Sequence, residues 1–359
     1  MRPSPQPPRL LQNELSVMTI LGIESSCDET SAAVVRDGVL LSNVISSQHF
    51  HSAYGGVVPE LASRAHLQAV LPIIRRALEE AGITTGDIDA VAGTQGPGLI
   101  GSLLVGLNVG KGFALGSGIP FIPIHHIEAH LFSTFLDEPH PEFPYLGLVV
   151  SGGHTLLIVV HGVGEYEFLG STIDDAVGEA FDKVAKMLGL GYPGGPVIDQ
   201  RAQRGNPTAI AFARPMIDSK DYRFSFSGLK TSVLYHLRDR AVDGILDLSE
   251  SDIDDICAGF QQAAVDVLVA KVMRAVEQFQ LQDIAVVGGV SANTGLGAAL
   301  RARSAVSGHR VFIPDLRFST DNAAMVARLA DLKGLPADPS NLIAPAFARI
   351  GDTFFHDAS

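Results

Sequence analysis

Two stretches of sequence decide the fold: LGIESSCDETSAAVV (Leu21–Val35) and LGLVVSGGHTLLIVV (Leu146–Val160). Each reads as a strand, a turn of small and polar residues, and a second strand, because short apolar runs rich in β-branched residues flank a cluster of Ser, Gly, Thr and Asp. The repetition points to an internal duplication, with two similar lobes whose turns face a shared cleft; two unrelated hairpins are the alternative.

Outward from the first hairpin, strand-type and helix-type patterns alternate. Thr19–Glu24 and Ser31–Arg36 read as strands, Glu60–Ala81 as a helix, Ala90–Thr94 as a strand, Leu99–Leu115 as a helix and Phe121–Ile124 as a strand. That alternation is the pattern of an α/β fold. DEPHPEFP (Asp137–Pro144) carries three prolines and marks a boundary, since proline fixes φ and removes a donor. It divides the chain into a first lobe at 18–136 and a second at 145–333 that holds a helical insert. Residues 1–17, rich in proline, read as a flexible leader, and 334–359 as a C-terminal tail.

Of 359 residues, 46% are hydrophobic and only 18% charged, which excludes a disordered or fibrous chain. Two cysteines, Cys27 and Cys257, cannot build a disulfide framework or a cysteine-rich zinc site, and they suit a reducing, cytoplasmic compartment. The most apolar stretches, Gly98–Ile124 and Tyr145–Val160, are broken by glycines, Asn108, Lys111 and His154, so neither supplies the roughly 18 apolar residues a membrane span needs. The net charge of −13 repels polyanions, so a nucleic-acid partner requires a local basic patch. From Arg201 to Arg240, eight lysines and arginines face three aspartates, and Arg201, Arg204, Arg214 and Arg223 are the candidate contacts; a solvated helical face is the plainer explanation.

The hairpin turns are built from residues that let backbone N–H groups approach an anion: Ser25, Ser26 and Thr30 around Asp28, and Ser151, Gly152 and Gly153 before His154. A third such turn, GGVSAN (Gly288–Asn293), follows an apolar strand and opens a helix, where phosphate or a nucleoside edge binds. No Walker A motif is present, and any one of these turns alone is compatible with a simple tight turn.

HHIEAH (His125–His130) carries a sharper signal. On a helix, His126 and His130 share a face and can aim at one metal, whereas Glu128 points to the other side. A zinc-protease motif places its glutamate directly after the first histidine, so protease chemistry is excluded. Asp321, in STDN, offers a third ligand, and two histidines with one carboxylate leave coordination positions open for substrate oxygens. Asp182, in GEAFDK, and Asp199, closing GYPGGPVID, could bind hydroxyls or an amine, or could be solvated helix charges.

In order along the chain, ESSCDET, HHIEAH, VSGGHT, GEAFDKVAKMLGL, GYPGGP, FSFSGLK, GGVSAN and STDNAAM resemble the family of tRNA threonylcarbamoyladenosine synthases, bacterial transferase subunit, from about Thr19 to Leu332. The resemblance implies the two-lobed fold of actin, the Hsp70 ATPase and sugar kinases. It implies transfer of a threonylcarbamoyl group from threonylcarbamoyl-AMP to the adenosine following the anticodon, in tRNAs that read codons starting with A. It implies that His126, His130 and Asp321 hold one Fe2+ or Zn2+, and that Val149, Val150, Ser151, Gly152, Gly153, Asp182, Gly195, Asp199 and Asn293 contact the adenylate. It also implies two partners, a paralogous actin-like subunit and a small ATPase subunit.

The implied donor is a mixed anhydride and is already activated, so neither cysteine is needed as a nucleophile. A metal polarising a carbonyl or phosphoryl oxygen, with N–H groups at Ser151–Gly153 taking up phosphate charge, suffices. The base that accepts the amine proton is open between Asp28, Glu29 and a substrate phosphate. An actin-like ATPase or kinase acting through Mg²⁺ is the competing expectation, although it has no use for His126, His130 and Asp321 together.

Overall fold

The computed structural model describes residues 18–241, 247–336 and 345–347; the leader at 1–17 and most of the tail at 334–359 lie outside these. The chain begins with β1 (Thr19–Glu24), β2 (Glu29–Arg36) and β3 (Val39–Ser47), then α1 (Pro59–Ala81), β4 (Ala90–Gly96), α2 (Ile100–Ser117) and β5 (Phe121–His125). After α3 (His126–Leu131) come β6 (Tyr145–Val150), β7 (Thr155–Gly162) and β8 (Glu165–Ser171), followed by α4 (Val177–Met187), α5 (Gly194–Ala202), α6 (Ser227–Arg240) and α7 (Glu250–Gln278). The described chain closes with β9 (Asp283–Val287), α8 (Thr294–Ser307), β10 (Arg310–Phe312), α9 (Leu316–Ser319) and α10 (Ala323–Lys333).

The strands form two sheets, ordered β3-β2-β1-β4-β5 and β10-β9-β6-β7-β8. In each, an antiparallel three-strand meander joins a parallel pair: β1 runs antiparallel to β2 and parallel to β4, and β6 runs antiparallel to β7 and parallel to β9. Exchanging β1–β5 for β6–β10 converts one order into the other, so the hairpin repeat in the sequence is the seed of a duplicated α/β core.

The decisive hairpins read as nearly unbroken apolar runs because their strands are covered on both faces. Successive side chains point to opposite sides, and the burial follows that period. Leu146, Leu148 and Val150 enter the core of the second lobe with Phe181, Phe224, Phe226 and Phe260. Tyr145 and Val149 turn the other way, into a central layer shared with Ile20, Ile124, Leu131 and Leu329. In the first lobe, Leu21 and Ile23 pack with Val70, Ile74 and Phe121 from α1 and β5. Helix α1 starts with Pro59 and ends at Gly82, whose φ of +67° suits the left-handed cap, where its N–H reaches Glu79 and Leu78 carbonyls.

Helix α10 belongs by chain position to the 145–333 stretch, yet it packs on β1, β2 and β3 of the first sheet. Gly22 permits this approach: a Cβ there would lie 2.5 Å from the Ala323 carbonyl oxygen. Helices α3 and α10 therefore sit between the two sheets, in the shared apolar layer. Strand β3 is absent from the sequence expectation, because at the sheet edge its VLLSNVISS pattern is only half buried. The apolar stretch around α2 also needs correction: α2 and α7 both reach the length and mean hydropathy of a membrane-crossing helix. Helix α7 is largely buried in the second lobe, and α2 packs on α1 and β4.

Candidate functional site

Strand β5 delivers α3 into the layer between the sheets, and the His125 ring caps it by accepting the Glu128 N–H through Nδ1 at 3.4 Å. One turn apart on this helix, the His126 and His130 rings meet edge to face with centroids 4.6 Å apart. The third group arrives from the far end of the chain, on the link between α9 and α10. Asn322 fixes that link by capping α10, its Oδ1 accepting the Met325 N–H at 3.1 Å, and the Ala323 N–H donates to Ser31 Oγ of β2 at 2.9 Å. Asp321 Oδ1 thereby stands 3.0 Å from His130 Nε2 and 3.6 Å from His126 Nε2. One ligand atom from each residue lies within 4.8 Å of the others, the spacing of a metal site.

Charge argues for the same occupant. Glu24 is wholly buried beside His126, and among the described residues neither it nor Asp321 pairs with a lysine or arginine. The wholly buried Glu24 and the half-buried Asp321 bring two carboxylates to this pair of histidines, and their summed charge matches that of a divalent cation. Burial raises the Asp321 carboxyl, but His126 and His130 hold it well below the usual carboxylate range. Burial lowers His126, yet Asp321 and Glu24 carry it up to about 9. His130 Nδ1 is buried with no hydrogen-bond partner among the described residues. Glu128 points away, as its spacing requires: Lys333 Nζ donates to its Oε2 at 2.6 Å and the Tyr166 hydroxyl to its Oε1.

The turn of the first hairpin borders this centre. Its Glu29 carboxyl is pushed up to about 10 by burial, with Asp321 and Asp28 adding like charge. Both thiols are raised chiefly by burial, Cys257 to about 12, so neither is a thiolate at neutral pH. A network that the sequence did not disclose steadies the turn. Buried His66 on α1 bonds the Cys27 carbonyl through Nε2 at 2.9 Å and the Thr30 hydroxyl through Nδ1 at 2.7 Å, and the Gln48 N–H donates to the Asp28 carbonyl.

On the second lobe, the residues expected at the adenylate are linked into one rim. Val149 and Val150 are completely buried at the end of β6, where the chain enters the turn. Ser151 donates its N–H to the His154 carbonyl at 2.8 Å and accepts the Gly178 N–H at 3.2 Å, which joins the turn to the start of α4. Cβ atoms at Gly152, Gly153 and Gly195 would meet nothing within 4 Å, whereas at Gly178 one would fall 2.5 Å from the Ser151 carbonyl oxygen. Asp182 accepts the Gly194 N–H at 2.7 Å and the neighbouring Gly195 N–H as well, tying α4 to α5. Asp199 accepts from Thr294 Oγ1 at 2.8 Å and Gln261 Nε2 at 2.9 Å, and Gln261 Oε1 accepts from Asn293 Nδ2 at 2.7 Å. His154, in the same turn, is lowered to about 4 by burial first and then by charge on His126 and His130.

The basic window reads differently in three dimensions. Arg201 pairs with Glu250 and Asp254, Arg204 with Asp254, and Arg214 with Asp266, so acids of α7 neutralise charges that stand alone along the chain. Arg223 pairs with Asp221 at 2.7 Å. Arg204 and Arg223 keep exposed side chains, and Arg201 is mostly covered.

Among solved structures, the chain superposes on full-length HypF in its phosphate- and nucleotide-bound form with a TM-score of 0.57 at 14% identity, covering 90% of this chain and 47% of that one. Component A of (R)-2-hydroxyglutaryl-CoA dehydratase from Acidaminococcus fermentans gives 0.53 at 15% identity over 88% of this chain and 98% of that one. At these identities the likeness concerns the fold, which is the two-lobed actin-like fold with a duplicated core. Sequence relatives carry more. A protein named tRNA N6-adenosine threonylcarbamoyltransferase from Porphyromonas gingivalis is 51% identical over 92% of this chain and 98% of its own length. One of the same name from Salinibacter ruber is 52% identical over 87% of this chain and 93% of its own. With the sequence model of that family matching residues 39–328, the chain belongs to the tRNA N6-adenosine threonylcarbamoyltransferase family.

Proposed function

We propose that this protein transfers the threonylcarbamoyl group of threonylcarbamoyl-AMP to the exocyclic amine of the adenosine following the anticodon, in tRNAs that read codons starting with A. The observation that carries this reading is the identity of about half of all residues, over nearly the whole chain, with proteins named for that reaction, together with a metal triad assembled from both ends of the sequence. One Fe2+ or Zn2+ held by His126, His130 and Asp321 would supply Lewis-acid polarisation of a donor oxygen.

The chain's own groups supply the rest. Backbone N–H groups at Gly152 and Gly153, free of crowding side chains, are placed to take up phosphate charge as the carbonyl–phosphate bond breaks. Asp182, Gly195, Asp199 and Asn293 form the rim on which the adenylate is held, with Val149 and Val150 leading into its Ser151–Gly153 turn. Glu29 keeps its own proton at neutral pH, which favours Asp28 or the departing phosphate as acceptor of the amine proton.

The lobes are best divided as 18–136 with α10 added, and 145–319. The partners fit the same reading. Exposed Leu67 and Leu71 on α1, with Ile100, Leu104 and Leu115 on α2, give the first lobe an apolar face suited to the paralogous actin-like subunit. The small ATPase subunit and tRNA complete the assembly, in the cytoplasm. The test is reconstitution with tRNA, threonylcarbamoyl-AMP, ATP and the partner subunits, reading the modified nucleoside by mass spectrometry. ATP hydrolysis by this chain alone, with no nucleoside modification in the full mixture, would move the chain to the actin-like ATPases.

A further inference from the structure

We infer that Glu24, the last residue of β1, is a positioning residue that orients the metal ligand His126 and couples it to the turn carrying Asp28. Its side chain is 0% exposed, and each oxygen has a separate task. Oε1 accepts the Ser26 N–H at 2.6 Å, which starts the Ser25–Glu29 turn. Oε2 accepts the Thr94 hydroxyl at 2.6 Å and faces His126 Nδ1 at 3.3 Å.

An ionised carboxylate only accepts hydrogen bonds, so the proton in that contact sits on Nδ1. Ser26 Oγ, also 3.3 Å from Nδ1, adds a second oxygen on the same side of the ring. With Nδ1 protonated, a neutral imidazole has its lone pair on Nε2, the nitrogen that faces Asp321. A carboxylate behind a ligating histidine fixes tautomer and ring orientation and raises the ligand's basicity. Glu24 does this from a strand at the centre of the first sheet, whose backbone is held on both sides by β2 and β4. The same carboxylate grips the turn through Ser26, so displacement of the ring and displacement of the turn are mechanically one event.

This inference rests on the metal reading of the triad, and the experiment separates the two. Co2+ is titrated into metal-stripped full-length protein against a competing chelator, with its d–d absorption recorded, for wild type, Glu24→Gln and Glu24→Asp. Expected are tight binding by wild type, a 10–100-fold loss with an altered d–d spectrum in Glu24→Gln, and metal-free circular dichroism unchanged. A purely structural Glu24 would leave both affinity and spectrum at wild-type values in folded Glu24→Gln, and that result overturns the inference. Should Glu24→Gln fail to fold, Glu24→Asp decides: it keeps the charge but withdraws it from Nδ1, and wild-type affinity there overturns the inference equally. Absence of Co2+ binding by wild type overturns the metal reading itself, and the inference with it.

Discussion

His130 Nε2 and Asp321 Oδ1 meet at 3.0 Å across 191 residues of sequence. One stands on the helix that leaves the first sheet and the other on the link before the last helix, so the site exists only once both sheets and α10 are assembled. Replacing His126 or His130 with alanine is expected to remove most bound metal and most threonylcarbamoyl transfer, by more than the roughly 10–100-fold that losing an orienting partner costs. The fold should survive, since an open site adds little to a core of this size. Metal content after dialysis, nucleoside yield and circular dichroism check this together, and full metal occupancy in His126→Ala would refute the triad.

Glycines of the second hairpin separate binding from folding. Gly153→Val should fold normally, because a Cβ there meets no protein atom within 4 Å, yet it should weaken AMP binding measured by calorimetry. Gly178→Ala should weaken both AMP binding and folding, since its Cβ would crowd the Ser151 carbonyl; a stability loss of about 1–3 kcal/mol in urea titrations is expected.

Lys271 lies wholly buried on α7, donating to Ser219 Oγ at 2.8 Å and to the Asp221 carbonyl, and burial together with nearby Arg274 lowers it to about 8. A lysine whose folded pKa lies below its unfolded value of 10.5 binds fewer protons when folded, so stability rises with pH between about 8 and 10.5. Wild type should therefore gain stability relative to Lys271→Met when urea unfolding is repeated at pH 7.5 and pH 10. A stability difference that stays constant with pH would contradict this.

For tRNA, Arg204 and Arg223 are the most exposed of the four candidate arginines Arg201, Arg204, Arg214 and Arg223. Reversing both charges should weaken tRNA binding across tRNA sequences and flatten the salt slope by about one unit or less per lost contact. Unchanged affinity and slope in filter binding would direct attention to the first lobe, around Arg64, Arg75 and Arg76.

The partner face yields to a simpler test. Leu67→Asp and Leu104→Asp are expected to abolish co-purification of the paralogous subunit while shifting the melting temperature little, since both side chains are exposed. A complex that persists in size-exclusion chromatography would place the partner elsewhere.

What the sequence made legible follows from burial. β1, β2, β6 and β7 announce themselves because both faces are covered, and His126 with His130 because helical spacing puts them on one face. β3 stayed hidden at the sheet edge, where Ser42, Asn43 and Ser46 interrupt the apolar pattern. The basic window carries less free charge than its sequence suggests, because charges counted along the chain ignore Asp254 and Asp266, which arrive from α7. Glu24 could not be told from the acidic turn it precedes, and Gln261, between Asp199 and Asn293, lies on a helix with no motif around it.

The seat of α10 on β1 and β2 also sets a schedule for biosynthesis. Strand β1 leaves the ribosome well before the helix that covers its inner face, which is finished only at Lys333. At 5–20 residues per second that is a wait of roughly 15–60 s, during which Ile20 and Val35 have no native cover from Met325 and Leu329. The nascent first lobe is therefore a natural client for a chaperone at the tunnel exit, and ribosome-associated chaperone should release it only after α10 has emerged.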